Sequence, residues 1–324
     1  MSQKKTGKKS LLKLLYLIIA LFVLLNVFAA IQAYSMTHFV ENSDMKKADV
    51  EFSAGNAVKA IVFGIDLPRP KSDIIPDRPY ENVTIPAEDG NTLEAWVMPT
   101  DSVSKGMVIL FHGYGDEKSS MLSHACILLD MGYDVLMPNF MGSGNSYGNG
   151  TTLGYLEAKN VKQTYDYAVS QLNQKHITLL GFSMGAAAIT KAQHDYNMAV
   201  DGIILEAPYG SMLDAVSIRM GTIPVISKFT AALMTFWGGK LSGFNAFEMN
   251  PEEYVKTVNT PTLMMYGGQD LRIPGEESVR IFDNISSKDK TLHMFPEAKH
   301  EDYTLKYPQE WKNIVSNFLS TTSI

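Results

Sequence analysis

From residue 80 onward, short continuous apolar runs alternate with stretches in which apolar residues recur every three or four positions. Runs such as GMVILFHG, YDVLMPNF, ITLLGF, DGIILEAP, PTLMMYGG and KTLHMFP are typical of strands buried on both faces. Stretches such as SSMLSHACILLDMG and SMGAAAITKAQHDY have helical spacing. This alternation predicts an α/β fold, with a mostly parallel twisted sheet covered by helices on both faces.

The start of this region predicts a hairpin. ENVTIPAEDGNTLEAWVMP contains two alternating runs on either side of Asp89-Gly90, a pair of residues that favours a tight turn. Two antiparallel strands at the beginning make the predicted sheet mixed.

The alternation breaks between the strand that ends at Ala207 and the strand that begins near Thr262. The intervening segment of about fifty residues is too long for a simple connection. SMLDAVSIRM and PVISKFTAALMTFW have the pattern of apolar-faced helices, separated by Gly221 and Pro224. We therefore expect a small helical cap at about residues 208–250, over the strand ends.

The N-terminal pattern is different. Residues 14–31 contain no charge, and Asn26 is the one strongly polar residue among them. About 20 apolar residues are needed to cross a bilayer as a helix. The pattern predicts a basic tail at residues 1–13, a transmembrane signal anchor at residues 14–33, a connecting region at residues 34–79 and a main domain at residues 80–324. In the connecting region, ADVEFSAGNAVKAIVFG is compatible with a short helix, and the prolines of LPRPKSDIIPDRP predict an extended strap.

Five lysines precede the apolar run, and they favour a cytoplasmic N-terminus with the main domain on the other side of the cell membrane. The alternative is a cleaved signal peptide and a secreted protein, because Ala29 and Ala33 are small residues of the kind found at cleavage sites. A cleavable apolar region is usually about 7 to 15 residues long, so the length favours the uncleaved anchor.

Charge and cysteine content exclude several classes of protein. The net charge of the 324 residues is −6, and the five lysines of the tail leave the remainder acidic, which disfavours a nucleic-acid partner. Cys126 is the single cysteine, so neither an internal disulfide nor a cysteine-built metal site is possible. No histidine pair or carboxylate cluster has metal-ligand spacing, and no motif implies a cofactor. The sequence does not specify an oligomeric state.

One short motif suggests chemistry. In ITLLGFSMGAAAIT, Ser183 lies between Gly181 and Gly185, after a strand and before a helix. This is the pattern of a nucleophile elbow, in which a strained turn exposes a serine hydroxyl. The alternative is a serine that merely caps the following helix.

Two further residues follow strands of the same predicted sheet. Asp270 follows PTLMMYGG and His300 follows KTLHMFP, so the chain order is serine, acid, histidine, as the elbow motif predicts. Because functional groups of parallel sheets gather at the carboxyl ends of the strands, we expect these side chains to meet. Glu206 follows DGIILE and is a second candidate for the acid.

The expected chemistry is nucleophilic. His300 would accept the proton of Ser183, and Asp270 would orient the imidazole ring. The developing oxyanion needs donors, which we assign to the backbone N–H groups of Met184 and Tyr114. Tyr114 lies in the turn FHGYGD, where His112 and Gly113 shape the backbone after the first buried strand.

These residues resemble those of the α/β-hydrolase superfamily, especially the bacterial serine aminopeptidase-like and Bem46-like membrane-anchored hydrolases. The similarity covers about residue 80 to the C-terminus. It implies an α/β-hydrolase fold, with Ser183 as nucleophile, Asp270 as acid, His300 as base and the Tyr114–Met184 oxyanion hole. One departure concerns the substrate: many relatives have Asp and then Arg-Gly after the strand YDVLMP, whereas this chain has Asn139 and then Met141-Gly142.

The leading hypothesis is a serine hydrolase that cleaves carboxyl esters through an acyl-enzyme on Ser183. Amide, peptide or thioester cleavage and acyl transfer use the same groups, so a small-molecule, acyl or peptidyl substrate is compatible with them. A non-catalytic binding module tethered to the membrane is the alternative from another class.

Overall fold

A computed structural model describes residues 3–41, 64–219 and 224–322 of the chain. The described strands are β1 (Phe39–Val40), β2 (Leu67–Pro68), β3 (Glu81–Pro86), β4 (Thr92–Met98), β5 (Met107–Phe111), β6 (Asp134–Pro138), β7 (Ile177–Phe182), β8 (Gly202–Glu206), β9 (Thr262–Gly267) and β10 (Lys290–Phe295). The described α-helices are α1 (Gln3–Thr37), α2 (Leu122–Asp130), α3 (Glu157–Ser170), α4 (Met184–Tyr196), α5 (Met212–Arg219), α6 (Pro224–Ser242), α7 (Pro251–Tyr254), α8 (Gly275–Asn284), α9 (Tyr303–Lys306) and α10 (Pro308–Thr322).

Strands β3 to β10 form the main sheet, in the order β10-β9-β8-β7-β5-β6-β4-β3. Pairing is parallel from β10 to β6 and antiparallel between β6, β4 and β3, which confirms the mixed sheet. The strand order reverses at β5, because β6 lies on one side of it and β7 on the other. In open α/β sheets, ligands bind beyond the carboxyl ends of the strands at such a reversal.

Side chains of β5 show how the sheet is covered on both faces. Every residue of this strand is buried. Val108 and Leu110 belong to one apolar cluster, with residues of α2 and α10, whereas Ile109 and Phe111 belong to a second cluster, with residues of α3, α4 and α8. Since successive strand residues point to opposite faces, a strand with apolar residues at every position requires this double cover.

The predicted hairpin is present. Residues of β3 and β4 pair in register from Glu81 opposite Val97 to Pro86 opposite Thr92. Asp89 and Gly90 have φ angles of 56° and 75°, a left-handed conformation that aspartate and glycine tolerate better than other residues.

Part of the connecting region can be compared with its prediction. The proposed short helix falls on residues 48–64, almost all of which lie outside the described residues. The proline-rich strap contains no helix between residues 65 and 79, in agreement with the prediction. Its first residues form β2, which pairs in parallel with β1 directly after α1.

Helix α1 begins before the predicted span and extends beyond it, because the helical backbone continues through both polar flanks. Within the described residues it is the one helix long and apolar enough to cross a membrane, with a mean hydropathy of 2.8. Residues 11–24 are exposed, whereas Ala29 and Ala33 are buried. The second half of α1 therefore packs against the main domain.

The partner of α1 is the cap. In the cap, helices α5 and α6 lie between β8 and β9, within the predicted 208–250, and Gly221 lies outside the described residues. Helix α6 packs along α1. At this contact, Trp237 Nε1 donates a hydrogen bond to Asn26 Oδ1, over 3.1 Å. The polar residue in the apolar run of α1 thus has a partner in the cap.

A buried carboxyl group binds the backbone at the start of the cap. Glu277, on α8, is 4% exposed and accepts a hydrogen bond from the backbone N–H of Gly210, just before α5. Burial raises the pKa of Glu277 to about 7, above the usual range for glutamate. In the folded protein, this carboxyl group therefore stays neutral up to about pH 7, a range in which an exposed glutamate is charged.

A raised folded-state pKa makes stability depend on pH. The protonated carboxyl group of Glu277 contributes to the free energy of unfolding. This contribution is fully present below the pKa of glutamate in the unfolded chain, and it is lost as the pH rises through about 7. Glu277→Gln stays neutral at every pH. We expect its melting temperature to be higher than that of the parent chain at pH 8 but not at pH 4.5. At pH 8 the free energy of unfolding of Glu277→Gln should exceed that of the parent chain by about 3 kcal/mol at most. Glu276→Gln, on the exposed side of the same helix, is the matched control, and an equal pH dependence of all three proteins would contradict the prediction.

Candidate active site

Ser183 occupies a strained turn between β7 and α4. Its backbone angles are φ 52° and ψ −111°, a combination that L-residues rarely adopt and that costs on the order of 1–3 kcal/mol. The Ser183 N–H donates to the carbonyl oxygen of Glu206 on the neighbouring strand, over 2.7 Å. The Ser183 side chain makes no cap hydrogen bond to α4, so the helix-cap alternative does not describe its role.

The two flanking glycines allow strand and helix to approach closely. A Cβ atom on Gly181 would lie 2.5 Å from the backbone nitrogen of Ala186. On Gly185 it would lie 2.2 Å from the carbonyl oxygen of Phe111. Both distances are shorter than atoms tolerate, so any side chain here would push α4 away from the sheet.

The structure brings together the three side chains that the sequence singled out. Ser183 Oγ lies 2.9 Å from His300 Nε2, and His300 Nδ1 lies 2.7 Å from Asp270 Oδ2. A carboxylate accepts hydrogen bonds, so His300 Nδ1–H donates to Asp270 and Nε2 is left to accept the serine proton. The ring of His300 also lies against Phe182, with 5.0 Å between the ring centroids.

Asp270 is fixed independently of His300. Its Oδ1 atom accepts hydrogen bonds from the backbone N–H groups of Arg272, over 2.7 Å, and Ile273, over 3.0 Å. The side chain is buried, with 5% of the residue exposed. The carboxylate therefore holds the imidazole in one orientation, which is the geometry that proton transfer requires.

Glu206, the other candidate for the acid, is engaged elsewhere. It is fully buried and accepts hydrogen bonds from Trp311 Nε1, over 2.6 Å, and from His124 Nε2, over 3.0 Å. Burial lowers the pKa of His124, but the carboxylates of Glu206 and Asp302 outweigh it and raise the pKa above its usual value. Glu206 thus forms a buried polar cluster that joins α2 and α10 to the sheet.

The turn after β5 is held by His112. His112 Nδ1 lies 2.9 Å from the Gly113 carbonyl oxygen, and Nε2 accepts a hydrogen bond from the Phe140 N–H over 3.1 Å. Burial lowers the pKa of His112, which keeps the ring neutral so that it can donate at one nitrogen and accept at the other.

Tyr114 connects this turn to α1. Its hydroxyl donates a hydrogen bond to the carbonyl oxygen of Met36, over 2.7 Å, and burial raises the pKa of Tyr114 to about 12. Met184 is the first residue of α4, directly after Ser183. The link between Tyr114 and Met36 was not evident from the sequence, because 78 residues separate them.

Asn139, the departure from the family pattern, has a structural role. It is fully buried, its Nδ2 atom donates to Glu94 Oε2 over 2.7 Å, and its Oδ1 atom accepts from the N–H of Lys118 over 2.7 Å. Asn139 therefore ties the loop after β6 to its neighbours.

A polar cavity of about 280 Å³ lies in front of Ser183 and His300. We call it the serine pocket. Its charged lining residues were not predicted as site residues, although Arg272 lies only two positions after Asp270. The acidic, basic and histidine side chains that line it, besides His300, are Asp116, His124, Arg219, Arg272, Glu301 and Asp302. Within the described residues, no group of His, Cys, Asp and Glu side chains is arranged to hold a metal ion.

A second, narrow cavity lies between the end of α1 and the cap. Its volume is about 40 Å³, and we call it the slot. Ala33, Met36 and Thr37 of α1 form one wall. The rest of the lining comes from the loop before α3, from α5 and α6, and from the loop after α6, namely Thr152, Leu153, Met212, Val216, Arg219, Met234, Thr235, Gly238, Ser242, Phe244 and Ala246.

Similar folds are known among esterases. The esterase Pf2001 of Pyrococcus furiosus superposes with a TM-score of 0.66 at 22% sequence identity, over 80% of this chain and 100% of that chain. The esterase EaEST of Exiguobacterium antarcticum gives a TM-score of 0.57 at 18% identity, over 74% of this chain and 100% of that chain. These similarities confirm the predicted α/β-hydrolase fold.

Sequence comparisons agree. The uncharacterized membrane protein YNL320W of Saccharomyces cerevisiae is 24% identical over 248 residues, which is 74% of this chain and 80% of that protein. The family model described as serine aminopeptidase, S33, matches residues 102–243 and 244–304, more than half of the chain. A match of this extent shows that the protein belongs to the serine aminopeptidase S33 family of α/β-hydrolases.

Proposed function

We propose that this hydrolase cleaves a carboxyl ester through an acyl-enzyme formed on Ser183. The observation that carries the proposal is the position of His300 within hydrogen-bond distance of both Ser183 Oγ and Asp270 Oδ2. A serine hydroxyl is a weak nucleophile at neutral pH, and an oriented imidazole is the base that activates it. The strained backbone at Ser183 supports the same role, because such strain is concentrated at functional sites.

In the proposed acylation step, Ser183 Oγ attacks the carbonyl carbon of the ester and His300 Nε2 accepts the serine proton. Collapse of the tetrahedral intermediate breaks the bond to the alcohol oxygen, which takes that proton from His300 as the alcohol leaves. The N–H groups of Tyr114 and Met184 are the proposed donors to the oxyanion. A water molecule, deprotonated by His300, then releases the acid and restores the serine.

We also propose that α1 is an uncleaved membrane anchor, with the lysine-rich tail in the cytoplasm and the main domain outside. The mean hydropathy of 2.8 and the exposed residues 11–24 support a membrane span. The basic residues of the tail support this orientation by the positive-inside rule.

Aminopeptidase activity is a second candidate. The description of the family favours it. The carboxylates of Asp116, Glu301 and Asp302 outnumber the two arginine side chains of the serine pocket, which suits the positively charged amino terminus of a peptide substrate. Comparing rates on p-nitrophenyl butyrate with rates on amino-acid p-nitroanilides separates the two activities.

The test is labelling of the full-length protein in detergent micelles with a fluorophosphonate probe, which reacts with activated serines. We expect labelling of the parent chain and none of Ser183→Ala or His300→Ala. Ser104→Ala is the matched control and should label normally, since Ser104 is exposed and precedes β5 at the opposite end of that strand. A folded parent chain that does not react would overturn the proposal and favour a binding module.

A further inference from the structure

The serine pocket contains two arginine side chains that come from different parts of the fold. Arg219 is the last residue of α5 in the cap, and Arg272 lies in the turn between β9 and α8, two positions after Asp270. Both line the pocket together with Ser183 and His300, and we call them the arginine pair. The cap and the edge of the sheet therefore each place one guanidinium group beside the proposed nucleophile.

Neither member of the arginine pair forms an ion pair with a carboxylate among the described residues. The guanidinium group of Arg219 donates a hydrogen bond to the carbonyl oxygen of Ala215, over 2.6 Å. A carbonyl oxygen carries no net charge, so this hydrogen bond does not neutralise the arginine. Arginine also stays protonated at neutral pH, so both positive charges persist in the pocket.

The two positive charges lie close enough to affect each other. Arg219 is exposed as a whole residue, yet neighbouring groups partly desolvate its guanidinium group. This desolvation and, after it, the positive charge of Arg272 lower the pKa of Arg219. Because like charges repel, an anion bound between the two guanidinium groups would stabilise the arrangement.

Two of the three carboxylates in the pocket are bound by other groups. Glu301 accepts a hydrogen bond from Lys306 Nζ, over 2.9 Å. Asp302 accepts hydrogen bonds from the backbone N–H of Thr304, over 2.8 Å, and from the hydroxyl group of Ser123. These two carboxylates therefore leave the charge of the arginine pair unmatched.

We propose that the arginine pair binds an oxyanion of the substrate while the ester carbonyl lies at Ser183. This inference rests on the proposed function, because it concerns the ester that Ser183 attacks. The N–H groups of a guanidinium lie in one plane and can donate two parallel hydrogen bonds, which match the oxygen atoms of a carboxylate or a phosphate. The substrate class is therefore an ester that carries a negative charge.

The test measures how strongly a negative charge on the substrate favours hydrolysis, with a carboxylate as the probe. Full-length protein in non-ionic detergent micelles is given two pairs of esters, and each pair compares a carboxylate with the neutral amide of the same shape. Mono-p-nitrophenyl adipate and p-nitrophenyl adipamate carry this group on the acyl side. In 3-carboxyphenyl butyrate and 3-carbamoylphenyl butyrate the group is on the alcohol side. The measured quantity is the ratio of kcat/KM for the carboxylate to kcat/KM for the amide.

In the parent chain this ratio should exceed 1 for at least one pair of esters, and that pair identifies the side of the substrate that carries the charge. Arg272→Gln removes one guanidinium group and should lower this ratio about tenfold. Arg219→Gln should have a similar effect. Arg272→Lys keeps the positive charge but loses the planar set of donors, so it should restore part of the ratio.

Arg280→Gln is the matched control, because Arg280 lies on α8, contacts Glu252 over 3.5 Å and does not line the serine pocket. Its ratio should equal that of the parent chain. A parent chain that prefers the neutral amide in both pairs of esters, or a ratio that stays unchanged in both Arg219→Gln and Arg272→Gln, would overturn the proposal. Failure of the proposed function is a separate result, since it would abolish fluorophosphonate labelling of the parent chain itself.

Discussion

Replacing Ser183 with alanine should lower kcat for p-nitrophenyl butyrate by about 10⁶-fold, the loss that follows removal of a nucleophile in other serine hydrolases. In the proposed mechanism this hydroxyl is the atom that forms the acyl-enzyme, so its removal leaves no nucleophile beside His300 Nε2. The substitution also removes no hydrogen bond that stabilises α4, because the Ser183 side chain does not cap this helix. The variant should therefore melt at or above the temperature of the parent chain.

The measurement is the steady-state rate of hydrolysis, and the melting transition of each protein shows that it is folded. Ser104→Ala should keep the full rate. A Ser183→Ala protein that retained a tenth of the parental activity would show that another group performs the chemistry.

Asp270→Asn should lower kcat by about 10⁴-fold while leaving the fold intact. An amide of the same shape can keep the hydrogen bonds from Arg272 and Ile273 to Oδ1, but the group facing His300 Nδ1 loses its charge. The imidazole then has no carboxylate to fix its orientation or to stabilise its protonated form. The effect should appear in kcat more than in KM, since Asp270 acts on His300.

Glu206→Gln is the matched comparison, because both acids follow parallel strands. Glu206 accepts hydrogen bonds from His124 and Trp311, and glutamine can accept at only one oxygen. We expect a loss of about 1–3 kcal/mol in the free energy of unfolding and only a small change in kcat. If instead Glu206→Gln abolished turnover and Asp270→Asn did not, the assignment of the acid would be reversed.

The main sheet and the meeting of Ser183, Asp270 and His300 could be predicted because both depend on local patterns. Buried parallel strands have continuous apolar runs, and the first polar residues after them meet at one edge of the sheet. This rule does not by itself distinguish Asp270 from Glu206, since both residues satisfy it. It depends on His124 and Trp311, which are 82 and 105 residues away from Glu206.

Contacts between α1 and the cap could not be predicted for a related reason. Asn26 breaks an apolar run and is informative by itself, but nothing local identifies Trp237 as its partner. The periodicity of α6 predicts that one face is buried without indicating what buries it. The same limit applies to Arg219, which lines both cavities and whose position depends on how α5 packs against α6.

The burial of Ala29 and Ala33 limits the time during which a signal peptidase can reach this part of the chain. A signal peptidase would have to cut near these small residues, yet in the folded protein they lie within a continuous helix and are 2% and 4% exposed. Trp237 follows Asn26 by 211 residues, so α6 leaves the ribosome long after α1. At about 5 to 20 residues per second, the unprotected interval lasts roughly 10 to 40 s. In the proposed topology, docking of α6 would cover this segment after that interval, so a signal peptidase could reach it only in the nascent chain.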